Sequence, residues 1–136
     1  MKLLRVGEKG KEKPAILDAD GKIRDISSHI NDLNPENLNF GILSKIQSAD
    51  ISSLPELSSN QRIGSCITSP GKFVAIGLNY SDHAAEVGAD IPKEPIMFMK
   101  ATSSMCGPND DVEIVSGSKK LDWEVELGIV IGKEAK

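Results

Sequence analysis

The sequence is poor in several residue types, and each shortage excludes something. Aromatic residues make up 4%, with one Trp and one Tyr, so a core must rest on Ile, Leu and Val. The two cysteines, Cys66 and Cys106, are too few for a disulfide scaffold and lack the spacing of a metal site, so both read as structural. There is no basic block: 16 Lys+Arg stand against 20 Asp+Glu, a net charge of −4. That balance argues against nucleic acid as a partner, since such binding depends on neutralising phosphates with Lys and Arg. No apolar run approaches the roughly 20 residues a membrane span needs. The opening MKLLRVGEKGKEK has one short apolar pair and then charge, unlike a signal peptide. What is present is 136 residues, 39% hydrophobic and 26% charged, too apolar for a disordered chain. The length suits one compact domain, or a small domain plus part of a larger one. The expectation is an acidic globular protein of the cytoplasm, with no membrane partner.

Along the chain, Leu3–Val6 and Pro14–Leu17 read as short strands. Asp18-Ala19-Asp20-Gly21 then turns the chain into a strand over Lys22–Ile26, with Gly21 free to take positive φ. Asn34-Pro35-Glu36 is a helix start, because Asn can cap and Pro fits the first turn. Leu38, Ile42 or Leu43, and Ile46 follow at helical spacing. A polar, proline-broken stretch then marks a boundary, giving a small domain over 1–65 and a second over 66–136. In the second, Phe73–Ile76 reads as a strand buried on both faces. A short helix over Asp82–Val87, capped by Ser81 or Asp82 and ended by Gly88, follows it. Ile96–Met99 and Val112–Val115 are further strands, with a turn at Gly107–Asp110. The clearest strand is Leu121–Ile131. Its odd positions are all apolar, while Asp122, Glu124, Glu126 and Gly128 take the other face. The fold class is therefore α+β and β-rich, with a small N-terminal hairpin-and-helix domain.

Two residue pairs could carry chemistry. Glu124 and Glu126, two apart on a strand, leave the same face roughly 7 Å apart. Such carboxylates repel unless water screens them or a cation sits between them. On alternation alone the pair reads first as a solvated strand face. The second reading is an oxygen-donor site for Mg²⁺ or Mn²⁺ that needs a third ligand from elsewhere. His83 and Glu86 lie three apart on one side of the short helix, where a carboxylate orients an imidazole and raises its basicity. A plain surface pair is the alternative there. Lys100, at a strand end, could bind a substrate carboxylate or simply reach solvent. His29, among Ser and Asn, reads as surface.

The run GLNYSDHAAEVGADIPKEPIMFMKATSSMCGPNDDVEI followed by LDWEVELGIVIG resembles the fumarylacetoacetate hydrolase family. The likeness covers about residues 64 to 136. Residues 1 to 60 resemble the small N-terminal domain of many bacterial members. GLNYxDHAxExG, EPxxFxK and DWEVEL in this order are jointly specific. The resemblance implies that the second domain is the first half of a mixed β-roll. It implies a metal-dependent hydrolase, lyase or isomerase of 2-oxo acids and 1,3-dicarbonyls, of the kind used in aromatic compound catabolism, and a homodimer. On matching positions it implies Glu124 and Glu126 as Mg²⁺ or Mn²⁺ ligands and His83, oriented by Glu86, as the group that activates water or moves a proton. Tyr80 and Lys100 would be substrate contacts.

Two departures qualify this. The family's third carboxylate ligand lies a few tens of residues beyond the Glu-x-Glu strand, and this chain stops ten residues past Glu126. The chain thus looks like the N-terminal half of a protein about twice as long. The family namesake also has an acidic ligand shortly before its His. Here Val74–Tyr80 holds no acid, which favours the acylpyruvase and isomerase branch. The rival reading is a catalytically incomplete chain that acts only with a partner chain. A terminal strand with a wholly apolar face is expected to be poorly soluble alone or buried against another chain.

Overall fold

The computed structural model describes residues 1–135. It divides into two compact units, one formed by Met1–Thr68 with the segment from Cys106 onward, the other by Ser69–Met105.

The first unit is built on a four-stranded antiparallel sheet in the order β1 (Lys2–Val6), β2 (Lys13–Leu17), β3 (Ile23–Asp25), β4 (Glu56–Leu57). Asp18 makes the β2–β3 turn. Its backbone oxygen accepts from Gly21 N, its carboxylate accepts from Asp20 N and Lys22 N, and Gly21 sits at φ +77° as the turn requires. Because side chains alternate, both sheet faces find cover. Ile16 of β2 joins Ile26, Ile30, Leu33 and Ile46 on one side, while Val6, Ala15 and Ile23 pack with Leu57 and Ile63 on the other.

Helix α1 (Phe40–Ser48) closes the first of these clusters with Ile46, which is fully buried. It begins later than Asn34 predicts. Asn34 instead closes a single turn, accepting from Asn37 N and Leu38 N, and Asn39 is the cap, its Oδ1 accepting from Ile42 N at 3.1 Å. Two Asn residues five apart offered the same capping chemistry, and Leu38 faces the core from the turn rather than from the helix.

The second unit is a hairpin of β5 (Val74–Gly77) and β6 (Ile96–Met99), joined through α2 (Ser81–Glu86) and a loop. The strand expected over Phe73–Ile76 is present, shifted by one residue, but is not buried on both faces: Val74 and Ile76 are exposed, as is all of β6. The two strands hydrogen-bond edge to edge, which by itself covers neither face.

Two expected strands do not form. Val112–Val115 and Leu121–Ile131 join no sheet among the described residues, and both are exposed throughout. Trp123 is 84% and Leu127 83% exposed. Alternation makes a segment able to be a strand, but its N–H and C=O groups need a neighbouring strand, and no strand among the described residues pairs with these two segments. Among the described residues no helix is long and apolar enough to cross a membrane.

Candidate active site

The residues singled out in the sequence fall into both units. In the second, β5 ends at Gly77 and the chain swings through Leu78 into α2, whose N-cap is Tyr80. Leu78 sits at φ +48°, the left-handed region that a branched side chain rarely adopts, and such outliers collect where a site needs a particular backbone path. Neither expected cap acts at the Ncap position. Ser81 is the first helical residue, and Asp82 accepts from His83 N at 2.9 Å. Ala84 is the buried anchor of this two-turn helix, which leaves His83 and Glu86 on exposed positions. Among the described residues no ion pair joins His83 to Glu86, so the spacing that places them on one side of the helix does not by itself bring them into contact. Lys100 follows β6 and donates its backbone N–H to Phe73 O at 2.8 Å. Gly77 pairs with Ile96 and Val74 with Met99, so Lys100 leaves from the opposite end of the hairpin to the one that feeds α2.

An open cleft of about 390 Å³ lies beside that strand-to-helix passage. Ile76, Gly77, Leu78, Asn79 and Ser81 line one side and Ile91 to Pro95 the other, with Lys93 and Glu94 as its charged groups. Its lining does not include Tyr80, His83 or Glu86. The sequence marked the Ile91–Pro95 stretch only as a proline-bracketed loop. Nothing in its local pattern signalled that it would face Leu78 and Asn79.

In the first unit, Glu124 and Glu126 lie on the exposed segment described above. As donors they fit a hard divalent cation in kind, being carboxylate oxygens. Among the described residues no three His, Cys, Asp or Glu side chains converge to complete a metal shell.

The same unit holds an ion-pair chain that the sequence did not reveal. Arg62 binds both oxygens of Asp110 at 2.6 Å and Glu12 at 2.7 Å, while buried Arg5 reaches Asp32 at 2.7 Å and Glu12 at 3.4 Å. The Arg62 guanidinium, helped by Gly107 N–H, holds the Asp110 carboxyl down at about 2. Burial alone would raise Glu12, but Arg62 and Arg5 outweigh it and its carboxyl is lowered. The hydrogen bond to Asp32 raises Arg5 despite burial. These five positions are scattered over 106 residues of sequence, from Arg5 to Asp110, with no shared motif, so only the fold assembles them.

Residues 72–136 match the model of the C-terminal domain of fumarylacetoacetate (FAA) hydrolase. Over those residues the chain is similar to the fumarylacetoacetate hydrolase family. A Burkholderia ambifaria protein, provisionally named a hydrolase, is 56% identical over all 136 residues, and a Burkholderia lata protein of the same provisional name is equally similar. The chain spans about half the length of these curated relatives, 48% of each. Among solved structures, a provisionally named HpcE protein of Mycobacterium smegmatis superposes with a TM-score of 0.67 at 26% identity, over 87% of this chain and 42% of its own. The fumarylacetoacetate hydrolase of psychrophilic Exiguobacterium antarcticum gives 0.61 at 26% identity, over 83% and 40%. The small helices and antiparallel sheets of the described residues are thus similar to those of these two structures.

Proposed function

We propose that this chain is part of a divalent-metal-dependent enzyme that hydrolyses, decarboxylates or isomerises 2-oxo acids or 1,3-dicarbonyl compounds. One observation carries the reading: GLNYxDHAxExG, EPxxFxK and DWEVEL stand in order in the region that matches the family, and the first of them supplies the exposed His83 on α2. The acid-free stretch Val74–Tyr80 favours the acylpyruvase and isomerase branch. Glu124 and Glu126 would hold the metal, which supplies Lewis-acid stabilisation of an enolate when bound. Either Mg²⁺ or Mn²⁺ suits such donors.

The chain's own residues then have distinct tasks. His83 takes a proton from water or returns one to the departing carbon, a role suited to an imidazole, which can both accept and donate a proton. Glu86, one turn along the same side of α2, is the positioning residue that fixes the imidazole once the helix orders over substrate. Tyr80 and Lys100 would contact the substrate, Lys100 by its ammonium on a carboxylate. A homodimer and a cytoplasmic setting in aromatic compound catabolism complete the reading.

A second reading rests on the lack of a converging third ligand among the described residues, together with the 48% coverage of relatives. In it the chain completes its site only with a partner chain. Steady-state assays with an acylpyruvate and with oxaloacetate, with and without Mn²⁺, separate the two. Metal-dependent turnover lost in His83→Ala supports the first reading. Turnover that His83→Ala leaves unchanged removes His83 from the mechanism. A chain inert alone but active with a partner chain favours the second.

A further inference from the structure

The open cleft beside α2 lies wholly within the second unit, and no residue of its lining has a task in the reaction proposed above. Its volume of about 390 Å³ falls in the range of small-molecule sites. Both walls are largely apolar, with Ile76 and Leu78 on one and Ile91, Pro92 and Pro95 on the other. Ile91 is 68% exposed and Ile76 36%, so neither side chain is spent on a core. Leu78 reaches the wall from a left-handed backbone at φ +48°, a conformation costly for a side chain with a Cβ and free of that cost for glycine.

Charge around the cleft is one-sided. Between Ser81 and Pro95 the chain carries Asp82, Glu86, Asp90 and Glu94 against Lys93 and the one imidazole of His83. No ion pair among the described residues engages these four carboxylates or Lys93. Lys93 and Glu94, the charged residues of the lining, offset each other, and the other three carboxylates leave the surroundings negative. Such a cleft offers cover to carbon and no net attraction to an anion. Asn79 and Ser81 add neutral hydrogen-bonding groups where α2 begins.

We propose that this cleft receives an uncharged, apolar arm of the substrate and rejects an arm that ends in a second carboxylate. The inference rests on the reading of the chain as part of an enzyme of 2-oxo acids or 1,3-dicarbonyls, and it narrows the substrate class. Preferred substrates carry an alkyl or acyl chain beyond the reacting carbons and a single carboxylate. A methyl group entering the cleft leaves water for apolar walls. A carboxylate entering it loses water without gaining a net cation, and that penalty is the source of selectivity.

Pairs of 2-oxo acids matched in chain length test this: 2-oxohexanoate against 2-oxohexanedioate, and 2-oxooctanoate against 2-oxooctanedioate. The whole chain is titrated with each in the presence of Mg²⁺, and backbone amide shifts in proton–nitrogen correlation spectra report both place and affinity. Shifts at Gly77, Leu78, Asn79 and Ile91 are expected. Each monoacid should bind about fivefold or more tighter than its diacid at low salt, with the gap narrowing as salt screens the carboxylates. Leu78→Gly keeps the left-handed backbone and removes the wall, while Ile91→Ser alters a position that is already exposed. Each should weaken the monoacids about fourfold and leave the diacids nearly unchanged. Glu94→Gln should tighten the diacids alone. Diacids that bind as tightly as their monoacids, or shifts confined to residues outside 76–81 and 91–95, would overturn the inference. Metal-dependent turnover of an acylpyruvate, assayed in parallel, separates the two claims. Turnover without discrimination would overturn the role of the cleft alone, and discrimination without turnover would overturn the enzyme reading while upholding the selectivity of the cleft.

Discussion

Gly107→Ala tests how the 107–110 turn is held against Ile63 and Gly64. Gly107 is buried, and a methyl at its Cβ position would overlap the carbonyl oxygen of Ile63 while lying 3.2 Å from Gly64 Cα and 3.1 Å from Asp110 Oδ2. Two of these three neighbours are backbone, so no side-chain rotation relieves the overlap. The third is a carboxylate fixed by two 2.6 Å bonds to Arg62. The 107–110 turn must therefore shift, and the Arg62–Asp110 pair loosens with it. Overpacking of this kind costs about 1–3 kcal/mol. For a chain of this size that is a fall in melting temperature of roughly 4–12 °C. Urea titration of the chain should show a lower midpoint at unchanged m-value. Gly128→Ala is the control, because nothing lies within 4 Å of its Cβ position. A Gly107→Ala chain as stable as Gly128→Ala would mean that the turn does not close on Ile63 and Gly64, and the approach of the two segments would be refuted.

Further outcomes follow from the same contacts. Asp110 lies at about 2 in the folded chain against an ordinary 3.8, so its pairing stabilises fully above pH 4 and is lost as pH falls towards 2. Urea midpoints of the chain and of Asp110→Asn should converge over that window, and a constant gap down to pH 2 would contradict the pairing. Ile46→Ala removes a fully buried side chain from the main cluster and should cost about 2–5 kcal/mol, with Ile46→Val about 1, by the same titration. Arg5→Ala leaves Asp32 without its cation and Glu12 with Arg62 alone, and should cost about 3 kcal/mol; a loss below about 1 would make the network a surface feature.

Much of the first sheet was legible because its signals are local. Asp18 to Gly21 fixed the hairpin, and the short apolar runs of β1 and β2 marked the strands, though not which face each side chain takes. β6 stands where its apolar run placed it. The helix start was misread because Asn34 and Asn39 carry identical capping chemistry, and only packing decides which begins the helix. Leu121–Ile131 shows the opposite limit: its alternation is the cleanest in the chain, yet alternation describes a face and not a partner. Tyr80, His83 and Glu86 could be placed on or beside a short helix from sequence, while the distance between His83 and Glu86 could not. The Arg5–Glu12–Arg62–Asp110 chain was invisible for a different reason, since its members meet only through long-range closure.

The central claim is that Glu124 and Glu126 form one oxygen-donor arm of a divalent-metal site. Calorimetric titration of the chain with Mn²⁺, beside Glu124→Gln/Glu126→Gln, tests it most directly. Binding that weakens at least tenfold, about 1.4 kcal/mol, in the double variant is the expected result. Superimposable isotherms for the two chains would contradict it.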